Sequence, residues 1–517
     1  MRVIRGVALA VAAVIVLGVA VEAMAGYIDL IGYPELKAEL DEASVSVPTG
    51  AGVAVMQVEG TEGGKYMPGD NTVAEFSGKT ITDATLPPTT GTSYHAYQVG
   101  LNFYGNTKSV APGITNITVY EVNDWLGTGF LKYGVTPTTA PAYSTSRIAN
   151  HSWADDVGTS TGNAKILRRV DYLVETDDFL QVVAVNNVLA AGDTNQPLLA
   201  DSFNAIAVGV TNGAHATGTT AVDGTYVAGR TKPDLVAPGE SPDPTNKSIR
   251  TSWAAPMVSA AAALLVETGH NQTDLSNGFY TSPRTGLKIY HAETSEVVKA
   301  ALMAGADRRT ANGRGTEITD YKVDTANGLD SRFGAGQVNI YNSYHILTGV
   351  EQDSNQDGNT SDIGRYGFDY DPEFGGAWGK TEKSNTTGSY FFTADFASLA
   401  REIFASLVWN IDIGPSTGPG PTNPVGTATL YNLDLKLYDV TSGGTLVASS
   451  TSTLDNTENI WQQLVDGCSY RLDVVRGSGQ GDFLWDYGLA WRIVPEPATV
   501  ALLGLGGVAL LLRRRRR

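Results

Sequence analysis

The chain has 517 residues, of which 42% are hydrophobic and 17% charged. This composition indicates folded domains rather than disorder, and the length favours two of them. The 54 acidic residues outnumber the 36 basic ones, giving a net charge of −18, which argues against binding to nucleic acid or anionic lipid. The single cysteine, Cys468, excludes an internal disulfide framework.

Residues 1–25 have the three parts of a secretory signal peptide. Arg2 and Arg5 precede an apolar stretch at 6–21, and Ala-Met-Ala at 23–25 forms a small-residue cleavage site. We expect the mature chain to begin near Gly26. The alternative, a permanent membrane helix, is disfavoured because the apolar stretch is short for a bilayer and a cleavage site follows it.

From Gly52 onward, short apolar runs alternate with longer alanine-rich stretches of helical character. The apolar runs lie at 53–58, 182–185 and 205–210, and the helical stretches surround residues 96, 170, 260 and 298. Strands separated by helices predict an α/β domain with a parallel sheet and helices on both faces. We assign residues 26–345 to this domain.

Residues 346–383 form an acidic segment that we predict to be a linker. Asp353, Asn355, Asp357 and Asp362 place oxygen side chains near a glycine turn, as calcium-binding loops do. Glycine, not the glutamate typical of such loops, stands at the twelfth position. A structural Ca²⁺ ion bound by these four residues and a solvated acidic linker are both kept as hypotheses.

Residues 384–493 have a different sequence pattern, with strand-like runs and no helical stretches. Strand-like runs at 405–409, 433–438 and 470–475 are joined by segments rich in glycine and proline, and helical periodicity is missing. This pattern predicts an antiparallel β-sandwich. Since no group of its residues suggests chemistry, we expect a binding or structural role.

The C-terminus consists of Val-Pro-Glu-Pro at 494–497, an apolar stretch at 498–512 and five arginines at 513–517. This layout resembles the PEP-CTERM sorting signal. The resemblance implies processing by an exosortase-type sorting machinery and only transient membrane contact, because the apolar stretch is short for a bilayer span and the arginines favour the cytoplasmic side. An ordinary C-terminal membrane anchor is the alternative.

The strongest motif is KPDLVAPG at 232–239 followed by TSWAAPMVS at 251–259. This pair resembles the subtilisin-like serine peptidases, or subtilases, in which the second motif is a helix bearing the nucleophile. A serine at a helix start is most often an N-cap, but the motifs on both sides favour the nucleophile. The resemblance implies that Ser252 is this nucleophile and that the helix dipole there favours a developing oxyanion.

A serine hydroxyl requires a base, which in subtilases is a histidine upstream. His95 lies in SYHAYQVG at 93–100, which resembles the family's HGTHVAG helix. His215 is the alternative, but it falls too late in the chain order and lies in a loop rich in threonine and glycine. We therefore predict His95 as the base.

Two further residues follow from the resemblance. VVAVNN at 182–187 is similar to the strand end whose asparagine donates to the tetrahedral intermediate, which assigns Asn187 to the oxyanion hole. GAGVAVMQVEG at 50–60 aligns without gaps on the strand of the catalytic acid, and this register places Glu59 where the family has aspartate. Gln57, two residues earlier on the same strand face, is the alternative.

Four residues depart from the family pattern: Arg250 before the Thr-Ser pair, Tyr94 and Gln98 around His95, and Glu59. We therefore keep two hypotheses. The first is an exported, surface-sorted serine endopeptidase that acts on polypeptides and requires no cofactor for catalysis. The second is a catalytically weakened subtilase fold that serves in surface matrix or adhesion.

Overall fold

The computed structural model describes residues 27–495 except 90, 137–138, 189–193, 314, 376–385, 396–400, 415–425 and 482. The predicted signal peptide and all but the first two residues of the C-terminal motif lie outside these residues. Of the helices in the described part of the chain, none combines the length and hydropathy that a bilayer span requires.

Seven parallel strands form the centre of the first domain, in the order β2-β3-β1-β4-β5-β6-β7. Strand β1 lies between β3 and β4, and its five residues are all buried, as expected for a parallel sheet covered on both faces. The strands are β1 Val55–Glu59, β2 Thr80–Asp83, β3 Asn116–Glu121, β4 Ile148–His151, β5 Leu180–Ala184, β6 Ile206–Val210 and β7 Leu235–Ala237.

Six helices accompany this sheet: α1 Tyr33–Ala43, α2 Tyr94–Tyr104, α3 Ser160–Asp177, α4 Thr251–Asn271, α5 Ser295–Gly305 and α6 Ile340–Thr348. Val182 and Ala184 of β5 pack in one core with α2, α4 and α5, whereas Val183 packs in a second core with α3. Because successive residues of a strand face opposite sides, helices cover both faces of the sheet. The predicted α/β fold class is confirmed.

Short helical turns and one hairpin complete the first domain. The turns are Tyr27–Leu30, Ala74–Phe76, Val122–Asp124, Trp125–Gly129, Thr273–Leu275 and His291–Glu293. The hairpin consists of β8 Phe279–Thr281 and β9 Lys288–Tyr290.

Two four-stranded antiparallel sheets form the predicted β-sandwich. One has the order β10-β19-β12-β17 and the other β11-β18-β15-β16, and β13 pairs with β14 in a small separate ribbon. The strands are β10 Tyr366–Phe374, β11 Thr387–Thr393, β12 Arg401–Val408, β13 Asp412–Ile413, β14 Ala428–Thr429, β15 Leu433–Asp439, β16 Thr445–Ser450, β17 Thr457–Leu464, β18 Ser469–Arg476 and β19 Trp485–Pro495.

Part of the predicted linker belongs to the sandwich. Strand β10 lies within 346–383 and pairs with β19 along its length. Its run YGFDYDPEF is buried at six of nine positions, including Asp369 and Asp371. The acidic composition of this segment indicated a solvated linker, but its aromatic residues pack into the cores of the structure.

The sandwich packs directly on the first domain through buried polar contacts. Asn410 Nδ2 donates to Ser295 Oγ at 3.0 Å, and Arg492 Nε donates to the carbonyl oxygen of Ala304 at 2.8 Å. Both acceptors belong to α5. Helix α5 therefore lies between the parallel sheet and the sandwich.

A buried carboxylate lies at the same contact. Asp178 is 2% exposed and accepts a hydrogen bond from the Ser295 N–H at 2.6 Å. Burial raises the pKa of Asp178 to about 7, although Arg147 lowers it, and the charge of Asp486 on β19 raises it further. This group therefore takes up a proton more readily in the folded protein than in the unfolded chain.

Candidate active site

Helix α2 presents His95 in its first turn. Ser93 caps the helix by accepting from the Ala96 N–H at 3.1 Å. The Glu62 carboxylate accepts from Ser93 Oγ at 2.9 Å and from the His95 N–H at 3.1 Å. These bonds satisfy backbone donors that a helix start leaves open, and they fix the backbone that carries the imidazole.

Glu59 is the last residue of β1, and its side chain is fully buried beneath His95. Its Oε2 lies 2.9 Å from His95 Nδ1, and the imidazole is 33% exposed. Burial lowers the pKa of His95, but the charge and hydrogen bond of Glu59, together with the charge of Glu62, raise it above 6.5. With Nδ1 donating to Glu59, Nε2 of the neutral ring is left as a proton acceptor.

Gln57, the alternative acid position, occupies a different place. Its Nε2 donates to Glu59 Oε1 at 2.8 Å and to the carbonyl oxygen of Ala96 at 2.9 Å. It makes no hydrogen bond to the imidazole. The structure thus places Glu59, as the gapless register predicts, beside His95.

Ser252 is the second residue of α4, and a proline shapes its surroundings. Pro256, four residues on, has no N–H to donate to the Ser252 carbonyl oxygen. Ser152 Oγ donates to that oxygen instead, at 3.0 Å, and Ser252 Oγ donates to the Ser152 carbonyl oxygen at 3.3 Å. This reciprocal pair ties the start of α4 to the segment that follows β4.

Asn187 follows β5 and contacts the same helix start. Its Oδ1 accepts from the Thr251 N–H at 3.0 Å. The N–H groups of Trp253 and Ala254 donate to Arg250, while the Ser252 N–H and Asn187 Nδ2 have no acceptor among the described residues. Two donors without an acceptor among the described residues thus belong to residues that meet at the start of α4, and an oxyanion hole requires donors of this kind.

Trp253 links the helix start to the histidine. Its ring centroid lies 5.2 Å from that of His95, and its carbonyl oxygen accepts from Asn102 Nδ2 of α2 at 3.1 Å. The two helix starts that carry His95 and Ser252 are thus packed against each other. The Ser252 hydroxyl itself is turned towards Ser152 and makes no hydrogen bond to His95.

His215, the alternative base, is buried away from Glu59, and both of its ring nitrogens have hydrogen-bond partners. It is 4% exposed, its Nδ1 accepts from the Val210 N–H at 3.0 Å, and its Nε2 lies 2.8 Å from the Arg332 carbonyl oxygen. Burial lowers the pKa of His215 to about 4. This histidine has a structural role.

Sequence reasoning did not identify the contacts that Glu62, Ser152 and Trp253 make in the site. No local signal marked Glu62, because it lies 31 residues before the capping Ser93 and reaches it only in the folded structure. Trp253 lies inside the motif at 251–259 and Ser152 directly follows β4, but their contacts join segments distant in the chain. Only the three-dimensional packing reveals them.

The predicted calcium ligands are not gathered around one point. Asp353 groups with Glu351 and Asp369, with one oxygen of each within 4.8 Å of the others. Asp357 accepts from Ser354 Oγ at 2.7 Å, and Asn355 donates to the Asn359 carbonyl oxygen at 2.9 Å. Asp362 is exposed.

The carboxylates around Asp353 already have protein partners. Glu351 Oε1 lies 2.8 Å from His291 Nδ1, Asp353 accepts from Asn277 Nδ2 at 2.6 Å, and Asp369 accepts from the Tyr390 hydroxyl at 2.5 Å. The oxygen donors suit Ca²⁺, so calcium binding stays a prediction, with Asp353 as the residue common to both groupings.

Two family models match the chain. The model of the subtilase family, Peptidase_S8, matches residues 104–336, which include Asn187 and Ser252 but begin after Glu59 and His95. The model of the PEP-CTERM protein-sorting motif matches residues 494–517. No curated protein matches the chain significantly.

Solved structures are similar only at a distance. The structure of the prenylagaramide maturation protease PagA has 19% sequence identity and a TM-score of 0.36, over 60% of this chain and 97% of that one. A structure titled "CBM4 structure and function" has 7% identity and a TM-score of 0.15, over 25% and 82% of the two chains. Latent PorU from Porphyromonas gingivalis has 12% identity and a TM-score of 0.14, over 24% and 11%.

The family assignment therefore depends on the two family models and not on these structures, whose TM-scores are all below 0.5. The sorting motif indicates export to the cell surface or the extracellular space, and the subtilase match supports a serine peptidase. Residues 104–336 match the subtilase family, and a β-sandwich and a PEP-CTERM sorting motif follow them in the chain.

Proposed function

We propose that this protein is a surface-sorted serine endopeptidase whose catalytic residues are Glu59, His95 and Ser252, with Asn187 in the oxyanion hole. The observation that carries the proposal is the buried Glu59 carboxylate 2.9 Å from His95 Nδ1, on a histidine that packs against the helix start bearing Ser252. A base that is oriented by a carboxylate and adjacent to a serine is the arrangement that activates a hydroxyl.

In the proposed reaction, Ser252 Oγ attacks the scissile carbonyl carbon of a polypeptide while His95 Nε2 takes the hydroxyl proton. The Glu59 carboxylate stabilises the imidazolium that forms. The Ser252 N–H and Asn187 Nδ2 donate to the oxyanion. His95 then protonates the leaving amine, and water, deprotonated by the same imidazole, hydrolyses the acyl-enzyme.

This scheme requires the Ser252 hydroxyl to leave its contact with Ser152 and turn towards His95. We propose that the serine side chain rotates when substrate binds, since catalytic hydrogen bonds often form only in the complex with substrate. The same contact, at 3.3 Å, is the observation that favours the second candidate, a catalytically weakened subtilase fold with a surface-matrix role.

Labelling with a serine-reactive fluorophosphonate separates the two functions. We expect the wild-type protein to be modified on Ser252, identified by mass spectrometry of the labelled peptide. Ser252→Ala should abolish the label, and His95→Ala should slow it strongly while leaving the fold intact. A folded wild-type protein that stays unmodified would contradict the peptidase proposal and favour the second candidate.

A further inference from the structure

A chain of buried hydrogen bonds lies behind the Glu59 carboxylate. Tyr104, the last residue of α2, donates its hydroxyl to Gln57 Oε1, and Gln57 Nε2 donates to Glu59 Oε1. Glu59, Gln57 and Tyr104 are all 0% exposed. The mechanism proposed above uses only the other carboxylate oxygen of Glu59, Oε2. It therefore gives no role to the hydrogen bonds from Tyr104 to Gln57 and from Gln57 to Glu59 Oε1.

The direction of these bonds follows from chemistry. The Gln57 amide faces the carbonyl oxygen of Ala96 and the Glu59 carboxylate, which are both acceptors, so it must present its NH₂ group to them. Its oxygen then faces Tyr104, which must donate. Burial, and to a lesser extent the charge of Glu59, raise the pKa of Tyr104 well above 10, so the phenol keeps the proton that it donates.

The helix that carries His95 is held at both ends by the same glutamine. Ala96, next to His95, accepts from Gln57 Nε2 at 2.9 Å. Tyr104, at the other end of the helix, donates to the oxygen of the same amide. Gly100, one turn before Tyr104, leaves room for the phenol, because a Cβ there would lie 2.9 Å from the Tyr104 hydroxyl oxygen. The packing is therefore adapted to this contact.

A glutamate at this position needs such support. It has one methylene and one torsion more than aspartate, so its carboxylate has more orientations to choose from. In the structure, Gln57 Nε2 donates to Glu59 Oε1, and His95 Nδ1 lies within hydrogen-bond distance of Glu59 Oε2. Without Gln57, a buried carboxylate oxygen would have no donor, and the carboxylate would rotate or withdraw to find one.

We propose that Gln57 and Tyr104 are positioning residues for the catalytic glutamate: Tyr104 orients the Gln57 amide, and Gln57 holds the Glu59 carboxylate in the orientation that meets His95. This inference rests on the proposed function for its kinetic part. Its structural part concerns the contact between Glu59 and His95 and can be tested in a protein without activity.

The first test is the pKa of His95, measured by NMR titration of the full mature chain. The protein has only six histidines, and His95→Ala assigns the resonance. Glu59 raises the pKa of His95, so loss of its orientation in Gln57→Met should lower that pKa. Tyr104→Phe should lower it by a smaller amount.

Tyr97→Phe is the matched control. Tyr97 and Tyr104 are both on α2 and both pack against Phe76, with ring centroids 5.8 and 5.4 Å away. The hydroxyl of Tyr97 makes no hydrogen bond within the described residues, so its removal should leave the pKa of His95 unchanged. If Gln57→Met does not fold, Tyr104→Phe alone decides the test.

The second test is kinetic, with rates normalised to the fraction of protein that a fluorophosphonate labels. For Gln57→Met we expect kcat to fall about 10- to 100-fold, the cost of misplacing a catalytic group by about 1 Å, with KM unchanged. The acid limb of the kcat/KM profile should move to lower pH. In a Glu59→Gln background, Gln57→Met should have little further effect.

The outcomes are distinguishable. A pKa of His95 and a normalised kcat that both stay at the wild-type values in Gln57→Met and in Tyr104→Phe would overturn the inference. A wild-type protein without activity or labelling would refute the proposed function, while the NMR titration would still decide whether Gln57 positions Glu59.

Discussion

Replacing Glu59 by glutamine removes the negative charge beneath His95 with little change of shape. The carboxylate is fully buried and 2.9 Å from the imidazole. At an effective dielectric constant of about 20, Coulomb's law gives about 6 kcal/mol for this carboxylate with an imidazolium. Solvent at the partly exposed imidazole screens part of this Coulomb energy and leaves about 4 to 5.5 kcal/mol. Loss of that energy in the transition state corresponds to a decrease of about 10³- to 10⁴-fold in turnover.

This range agrees with the roughly 10⁴-fold cost of the aspartate-to-asparagine change in a well-studied serine protease triad. The assay is kcat for a peptide substrate, normalised to labelled Ser252. Glu62→Gln is the control, because Glu62 also acts on His95 through its charge but is exposed and does not touch the imidazole, so its loss should cost less than about tenfold. A Glu59→Gln enzyme within about tenfold of wild type would refute the role of Glu59.

Asn187→Ala should lower kcat about 100- to 1,000-fold with little change in KM, since it removes one oxyanion donor; equal kcat values would exclude Asn187 from the hole. Asp178 binds its proton up to a pH of about 7 in the folded protein but only to about 4 when unfolded, so the free energy of unfolding should fall as pH rises from about 4 to 7. Asp178→Asn should flatten that slope in urea titrations at pH 5 and pH 8, and an unchanged slope would contradict this. Chelation should lower the melting temperature if Asp353 binds calcium, with no response in Asp353→Ala; a wild-type protein insensitive to chelator would favour the hypothesis without calcium. Mass spectrometry of the surface form should find a start near Gly26 and no arginines from 513–517, and retention of this tail would refute processing by a sorting enzyme.

Local patterns were sufficient to predict the fold class and the position of Glu59. The apolar run that ends at Glu59 forms β1, and the motif around Ser252 forms the start of α4. Both are short-range signals in which strand or helix periodicity coincides with a motif. The roles of Ser252 and Asn187 in catalysis stay predictions, although their placement at one helix start agrees with them.

Contacts between distant segments could not be predicted in this way. Nothing in the sequence indicates that Tyr104 would reach Gln57, because the helix and the strand meet only in the packed core. The calcium hypothesis assumed ligands close in sequence, whereas Asp353 lies beside Asp369 of β10. Strand β10 was not predicted, because its acidic residues and glycine interrupt the apolar pattern by which a buried strand is identified in a sequence.

The pairing of β19 places the sorting motif directly at the edge of the folded body. Arg401 pairs with Pro495 and Glu402 with Val494, so the first two residues of the motif belong to a strand that lies between β10 and β12. In the sequence, only Glu496 and Pro497 stand between the end of β19 and the apolar stretch at 498–512. If sorting holds that stretch in a membrane, we expect the sandwich to lie close to the bilayer surface, since two residues span at most about 7 Å. A processing enzyme that cuts before Pro495 would first have to separate the end of β19 from β12.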